Sequence, residues 1–302
     1  MHPAPPPRTA VIGLGAMGLP MARRLATRLP VSGYDIAADR RALLAADGGT
    51  DAASPAEAAR DAEVVLLAVR DRTQLEEALF GADGAAAALH PGAVTVLTST
   101  VGPDAARAIA DRLAGQGILT VDAPVSGGPV RAGDGDLLIV VGAGDEALTA
   151  AQPVLDLLAS TLTVVGPHPG DGQALKAINQ LLAGVHIAAA AEAIALARAL
   201  GLNLHTVVES LRHGAAGSFM FADRGPRMVE TYSAEQPLDV KSRLDIFVKD
   251  LGITTGIAKS AHVPVPLAAA AEQLYLLGER SGLAAHDDSS IVTVLSPKEA
   301  DR

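Results

Sequence analysis

Two groups of residues carry chemistry by type and spacing. Gly13, Gly15 and Gly18 form G-x-G-x-x-G in "AVIGLGAMGLPMA", directly behind a short apolar run and at the mouth of a helical segment. In such a triplet the first glycine permits a tight turn, the second lets backbone approach a pyrophosphate, and the third lets helix pack on strand. The helix start, with Ala16 and Met17 in the turn, then offers backbone N–H groups to the anion. Asp35 follows at the end of the next apolar run. A carboxylate there accepts from ribose hydroxyls and repels a 2′-phosphate, which predicts NAD rather than NADP. Arg40 and Arg41 stand close enough in sequence to pull the other way, but read as a solvated helix start. Glycines alone are a weak signal; strand, glycines, helix, strand and acid in this order are a specific one.

The second group centres on Lys176 in "GDGQALKAINQ". The chain has 19 Arg and five Lys, so a lysine inside a mostly apolar helix stands out. Asn179 and Gln180 follow at i+3 and i+4, which puts three polar groups on one helical face. A lone lysine ordinarily snorkels to water; the clustering favours a site at a domain cleft instead. A buried ammonium loses solvation, which favours the neutral amine and lets it exchange a proton. Upstream, "DAPVSGG" ends a strand where open α/β sheets place ligands. Ser126 offers a hydroxyl there, and Gly127 and Gly128 leave backbone N–H groups free to meet a carboxylate. Thr100, in "TSTVGP", ends another strand and is placed to face nicotinamide or substrate. Val69 closes the run "EVVLLAV" on the cofactor side.

These residues need a scaffold, and the pattern supplies one. Up to about residue 167, short Val/Ile/Leu runs (10–15, 31–35, 63–69, 93–99, 118–124, 137–142 and 162–166) alternate with Ala-rich helical stretches such as 102–116 and 145–158. That pattern implies an α/β unit with a largely parallel sheet covered on both faces. After it the strands stop. Residues 170–201 read as one long helix closed by Gly201, and further helices are expected near 204–213, 241–261 and 266–282. The expected organisation is an N-terminal Rossmann dinucleotide-binding domain, 1–167, followed by an all-α domain, 168–302, for substrate and oligomerisation. The long helix is apolar nearly all round, so a buried interface and a homodimer or homotetramer are expected.

Composition excludes several classes. Aromatic content of 2%, no Trp and a net charge of −10 argue against nucleic acid. Without Cys there are no disulfides, thiolate metal sites or cysteine nucleophiles. The eight His and the carboxylates show no metal spacing such as H-E-x-x-H, so no metal is expected. Apolar runs such as 182–200 are interrupted by His186, Glu192 and Arg198, so no membrane span is expected. "MHPAPPPR" lacks the apolar core of a secretory signal, and a cytoplasmic protein is expected.

"GLGAMGLPMA" (13–22), "DAPVSGG" (122–128), "GDGQALKAINQ" (170–180) and "KDL" (249–251), in that order, resemble the motifs of the β-hydroxyacid dehydrogenase family, which includes 3-hydroxyisobutyrate dehydrogenase and tartronate semialdehyde reductase. The resemblance covers nearly the whole chain. It implies a hydride transfer to NAD in which Lys176 is general acid/base and Asn179 orients the oxygen. It also implies that Lys249 and Asp250 line the closed cleft near cofactor and substrate; on their own they read equally as solvated helix charges. "GAAGSFMFADRGPRMVE", "DIFVKDLGI", "VPVPLAAAAEQLY" and "HDDSSIV" are similar to the L-threonate dehydrogenase branch, which implies oxidation at C2 of a four-carbon sugar acid. The sequence departs from the family pattern twice. "AVRD" (68–71) replaces the common Met-Leu-Pro segment, which leaves the cofactor-side loop open, and Gln180 stands where Asn is frequent. An imine reductase shares a related fold but lacks this lysine; a non-catalytic nucleotide binder would not need Ser126, Lys176 and Asn179 together.

Overall fold

The computed structural model describes residues 5–298, and it divides the chain into two compact units, Met1–Lys176 and Ala177–Arg302. The division falls inside a single helix.

The first unit is built on a nine-stranded sheet. Its strands are β1 (Thr9–Ile12), β2 (Val31–Tyr34), β3 (Thr50–Asp51), β4 (Val64–Leu67), β5 (Val94–Leu97), β6 (Leu119–Asp122), β7 (Val125–Ser126), β8 (Leu137–Gly142) and β9 (Ala159–Gly166). The order is β3-β2-β1-β4-β5-β6-β8-β7, with β9 on the other edge of β8. The six strands from β3 to β6 run parallel in the doubly wound arrangement, with the order reversing between β1 and β4. Every anticipated strand is present. The short β3 and β7 have too few residues to show a pattern. The sheet is also less uniformly parallel than its apolar runs imply, because β8 runs antiparallel to both β6 and β7. The chain between Ala123 and Asp136 turns back on itself instead of crossing over.

Strands β1, β4 and β5 are buried at every position because both faces of the sheet are covered there. Ala10, Ile12, Val65 and Leu67 face one core with Leu75, Leu79, Ile109 and Leu113. Val11, Val64 and Leu66 face the other, with Leu25, Val154 and Leu155. The covering helices are α1 (Gly18–Ala26), α2 (Ala38–Ala46), α3 (Pro55–Ala59), α4 (Arg72–Phe80), α5 (Pro103–Ala114), α6 (Gly128–Asp134) and α7 (Asp145–Leu158).

Helix α8 (Asp171–Ala199) begins in the first unit and continues into the second, and Gly201 follows it with φ +70°. By length and composition it could cross a membrane, but half of its most apolar window is buried in the fold. In the second unit Ala183, Ile187, Ala191 and Ile194 of α8 form a core with residues of the helices that follow. These are α9 (Leu204–Arg212), α10 (Phe219–Ser233), α11 (Leu244–Ser260), α12 (Pro266–Gly278) and α13 (Val292–Leu295). Phe247 and Tyr275 stack there with ring centroids 5.2 Å apart. Helix α10 escapes the sequence pattern because Pro226 interrupts it. It forms nonetheless, since Ser218 caps its start by accepting the N–H of Phe221 at 3.0 Å.

A buried ion pair closes the second unit. Asp288 is fully buried, and the Arg224 guanidinium reaches it with Nη2 at 2.9 Å and Nε at 3.1 Å. Desolvation alone would lower the Arg224 pKa, but the fields of Asp288 and Asp223 outweigh it and push the pKa up.

Candidate active site

Register places the carboxyl ends of five strands in one row. Ile12 pairs with Tyr34 and Leu67, Leu67 with Leu97, and Leu97 with Asp122. The glycine loop, Asp35, Val69, Thr100 and the segment leading to Ser126 therefore emerge from the same edge of the sheet. In open α/β sheets that edge is where ligands bind.

The glycines divide into structural and open positions. Gly13 has φ +91°, and a Cβ on it would lie 2.6 Å from the Ala68 carbonyl oxygen. A Cβ on Gly18 would overlap the Gly13 carbonyl oxygen. The chain itself needs glycine at both positions. Gly15 is different, because a Cβ there would meet nothing within 4 Å. The space before it is open, and α1 behind it carries no acidic residue in its first turn. Ala16 is exposed and Met17 half-buried in the same turn. This geometry fits a dinucleotide pyrophosphate.

Asp35 is tied to the loop. Its Oδ2 accepts the Leu14 N–H at 2.7 Å and its Oδ1 accepts that of Ala37 at 2.9 Å. Arg41 is engaged: its Nε lies 2.8 Å from Asp51 Oδ1 and its Nη1 donates to the Asp35 carbonyl at 2.9 Å. Arg41 is thus not the solvated residue its position implied.

Behind Thr100, Thr98 Oγ1 donates to the Leu67 carbonyl at 2.8 Å and Ser99 Oγ to the Val69 carbonyl at 2.7 Å. These bonds tie the ends of β4 and β5 together. Ser126 lies in β7 opposite Leu138, followed by Gly127 (φ +144°) and Gly128 (φ +78°).

Sequence reasoning passed over two side chains that the fold puts at the centre of this edge. Asp122, fully buried, accepts the N–H groups of Gly170 at 2.8 Å and Gln173 at 2.9 Å through Oδ2, and Gln173 Nε2 at 2.8 Å through Oδ1. Burial pushes its pKa up, and hydrogen bonds from the Gln173 side chain and from backbone groups only partly oppose that. The available signals were an acid closing an otherwise apolar strand and a glutamine in the first turn of the long helix.

Lys176 is buried, three residues further along α8 from Gln173. In the second unit, Asn179 Nδ2 donates to Gln180 Oε1 at 2.8 Å, and Gln180 Nε2 donates to Asp250 Oδ2 at 2.6 Å. Asp250 Oδ1 pairs with Lys249 Nζ at 2.7 Å. Four of the residues singled out in the sequence thus form one connected polar chain. Asp250 is only 3% exposed, which rules out a pair of solvated surface charges. Among the described residues no group of three or more His, Asp or Glu side chains could hold a metal ion.

Residues 8–166 match the family model described as the NAD binding domain of 6-phosphogluconate dehydrogenase, and residues 170–295 match the one described as NAD-binding of NADP-dependent 3-hydroxyisobutyrate dehydrogenase. The chain belongs to the β-hydroxyacid dehydrogenase family. It is a 3-hydroxyisobutyrate dehydrogenase-like oxidoreductase acting on a hydroxyl group, with NAD(P)-binding domains. It is 41% identical to an L-threonate dehydrogenase of Cupriavidus necator over 94% of both chains. A crystal structure described as 3-hydroxyisobutyrate dehydrogenase from Salmonella typhimurium superposes with a TM-score of 0.87 at 36% identity, covering 95% of this chain and 99% of that one. Psf3, solved with NADP+ and 2-OPP, superposes with a TM-score of 0.85 at 25% identity, covering 95% of this chain and all of that one.

Proposed function

We propose that this β-hydroxyacid dehydrogenase oxidises the C2 hydroxyl of a four-carbon sugar acid such as L-threonate, with NAD as cofactor. The observation that carries the substrate class is the 41% identity to an L-threonate dehydrogenase over 94% of the chain. Gly13, Gly15, Ala16, Met17 and Gly18 would hold the pyrophosphate, Asp35 the ribose, and Val69 and Thr100 the nicotinamide side. The bound nicotinamide supplies a hydride acceptor. Ser126, Gly127 and Gly128 bind the substrate carboxylate, and Thr100 borders the substrate. Lys176 takes the hydroxyl proton on its amine during oxidation and returns it as ammonium in reverse. Asn179 orients the oxygen, and the Lys249–Asp250 pair lines the cofactor and substrate cleft.

NAD is favoured because Asp35 presents its carboxylate at the end of β2 while Arg41 is held by Asp51. The exposed Ile178, Leu182 and Leu196 on α8, and Leu200 just beyond its end, support a homodimer or homotetramer. The boundary near 167 between nucleotide and all-α domains, and a cytoplasmic location, belong to the same proposal. A second reading, 3-hydroxyisobutyrate dehydrogenase or tartronate semialdehyde reductase chemistry, is favoured by the likeness to the Salmonella structure.

The test is reduction of NAD and of NADP by the purified protein with L-threonate, D-erythronate, 3-hydroxyisobutyrate and D-glycerate. Turnover of a four-carbon sugar acid with NAD is expected. Turnover of 3-hydroxyisobutyrate or glycerate alone would move the assignment to the second reading, and a preference for NADP would overturn the cofactor assignment.

A further inference from the structure

The Gln173 carboxamide is used on every side. Its Oε1 accepts the N–H groups of Val101 at 2.9 Å and Gly102 at 3.0 Å. Its Nε2 donates to the Ser99 carbonyl at 3.0 Å and to Asp122 Oδ1 at 2.8 Å. Both lone-pair directions and both N–H groups are filled, so the amide has one orientation it can adopt. Gln173 is 1% exposed and Asp122 fully buried, so water cannot replace either partner.

Three chain segments meet here: the turn Ser99–Gly102, the end of β6, and the first turn of α8. The opening N–H groups of a helix have no partner within it. Those of Gly170 and Gln173 are met by Asp122, a carboxylate delivered from a strand rather than from the residue before the helix. Contact is close on the backbone side as well. A Cβ on Gly172 would lie 2.9 Å from the Asp122 carbonyl and 3.0 Å from that of Val140. Turning or sliding the start of α8 would break the Asp122 bonds and the Gln173 bonds together. Lys176 follows Gln173 by three residues and shares its side of the helix. Thr100 sits inside the clamped turn, and Ser126 follows Asp122 by four residues.

We propose that Asp122 and Gln173 are a positioning pair. They lock the Ser99–Gly102 turn, the end of β6 and the start of α8 into one body, and so fix where Thr100, Ser126 and Lys176 stand relative to one another. The consequence for turnover rests on Lys176 acting as general acid/base. The locking itself does not.

Two readouts separate these layers. Backbone hydrogen exchange on the cofactor-free chain measures protection at Val101, Gly102, Gly170 and Gln173. Steady-state kinetics, with NADH affinity measured alongside, gives kcat, KM and the pH dependence of kcat. Gln173→Met removes the carboxamide at similar length. Gln173→Glu keeps the acceptor for Val101 and Gly102 but sets an oxygen against Ser99 and Asp122, and serves should the first variant fail to fold. Expected is loss of protection in all the segments at once, with kcat lowered about 10²-fold, as misplaced catalytic groups produce, a shifted pH profile of kcat and unchanged NADH affinity. Protection lost only around residue 173, or a folded variant with wild-type kcat and pH profile, would overturn the positioning role. If Lys176→Ala proves active, the acid/base reading fails, and the exchange measurement alone decides the locking.

Discussion

The carboxylate of Asp35 accepts the backbone N–H of Leu14 at 2.7 Å, joining the acid at the end of β2 to the loop it serves. Leu14 is fully buried, so this N–H has no solvent to fall back on. Asp35 therefore shapes the glycine loop as well as serving the ribose role proposed for it. Replacing it has two effects. Asp35→Ser should shift the NAD-to-NADP ratio of kcat/KM toward NADP by about 10–100-fold, since a charge-assisted hydrogen bond is worth about 1.5–3 kcal/mol. It should also lower the melting temperature. An unchanged cofactor ratio would remove Asp35 from the ribose site.

The glycines of the loop should respond differently to the same methyl group. Gly13→Ala combines positive φ with a contact of 2.6 Å to Ala68, and should destabilise the first unit by about 2–4 kcal/mol. Gly15→Ala meets nothing in the chain and should leave the denaturation midpoint unchanged while weakening NADH binding. Equal thermal behaviour of the two variants would contradict this division.

For Lys176, substitution by Ala should lower kcat by about 10²–10⁴, the range general acid/base groups contribute. NADH titration of the variant should remain near wild type. Turnover surviving in a folded Lys176→Ala variant would sink the mechanism.

Asp288 and Arg224 offer a stability test away from the site. Asp288→Ala takes the buried partner from a guanidinium whose side chain is 14% exposed and leaves it only Asp223, itself 40% exposed, and should cost about 3 kcal/mol. The double replacement Asp288→Leu with Arg224→Met should recover most of that loss, because no buried charge is left unpaired. Denaturant melts that show the double variant worse than the single one would overturn the electrostatic account.

The pKa of Asp122 is raised in the fold above its ordinary value of 3.8, chiefly by burial. The folded chain therefore binds this proton more tightly than the unfolded chain. Its contribution to stability grows as pH falls from the raised value toward 3.8 and is lost as pH rises back through that interval. Asp122→Asn lacks the proton site. The stability gap between wild type and variant should therefore widen on acidification across the interval. A gap that narrows instead would mean that the fold favours the ionised form.

Much of this was legible in sequence because its signals are local. The strand-turn-helix of residues 10–26 and the polar face at Lys176, Asn179 and Gln180 each follow from spacing within one element. The long helix announced itself by its predominantly apolar content and Gly201. What was not legible depends on residues far apart in the chain. Gln173 reads as an ordinary helical polar residue until the fold brings Ser99 and Asp122 to it. Arg41 read as solvated because Asp51 becomes its partner only when β3 folds beside β2. Helix α10 was hidden because Pro226 overrides a pattern that the Ser218 cap and core packing restore.

Helix α8 carries Lys176 as the last residue of one unit and Asn179 near the first of the other. Anyone exchanging modules between relatives meets this directly. A chimera spliced between Lys176 and Asn179 would inherit the proposed general acid/base from one parent and the residue proposed to orient the substrate oxygen from the other. A seam upstream, just before Asp171, keeps the whole of α8 from one parent but then requires that Asp122 and Gln173 match across it.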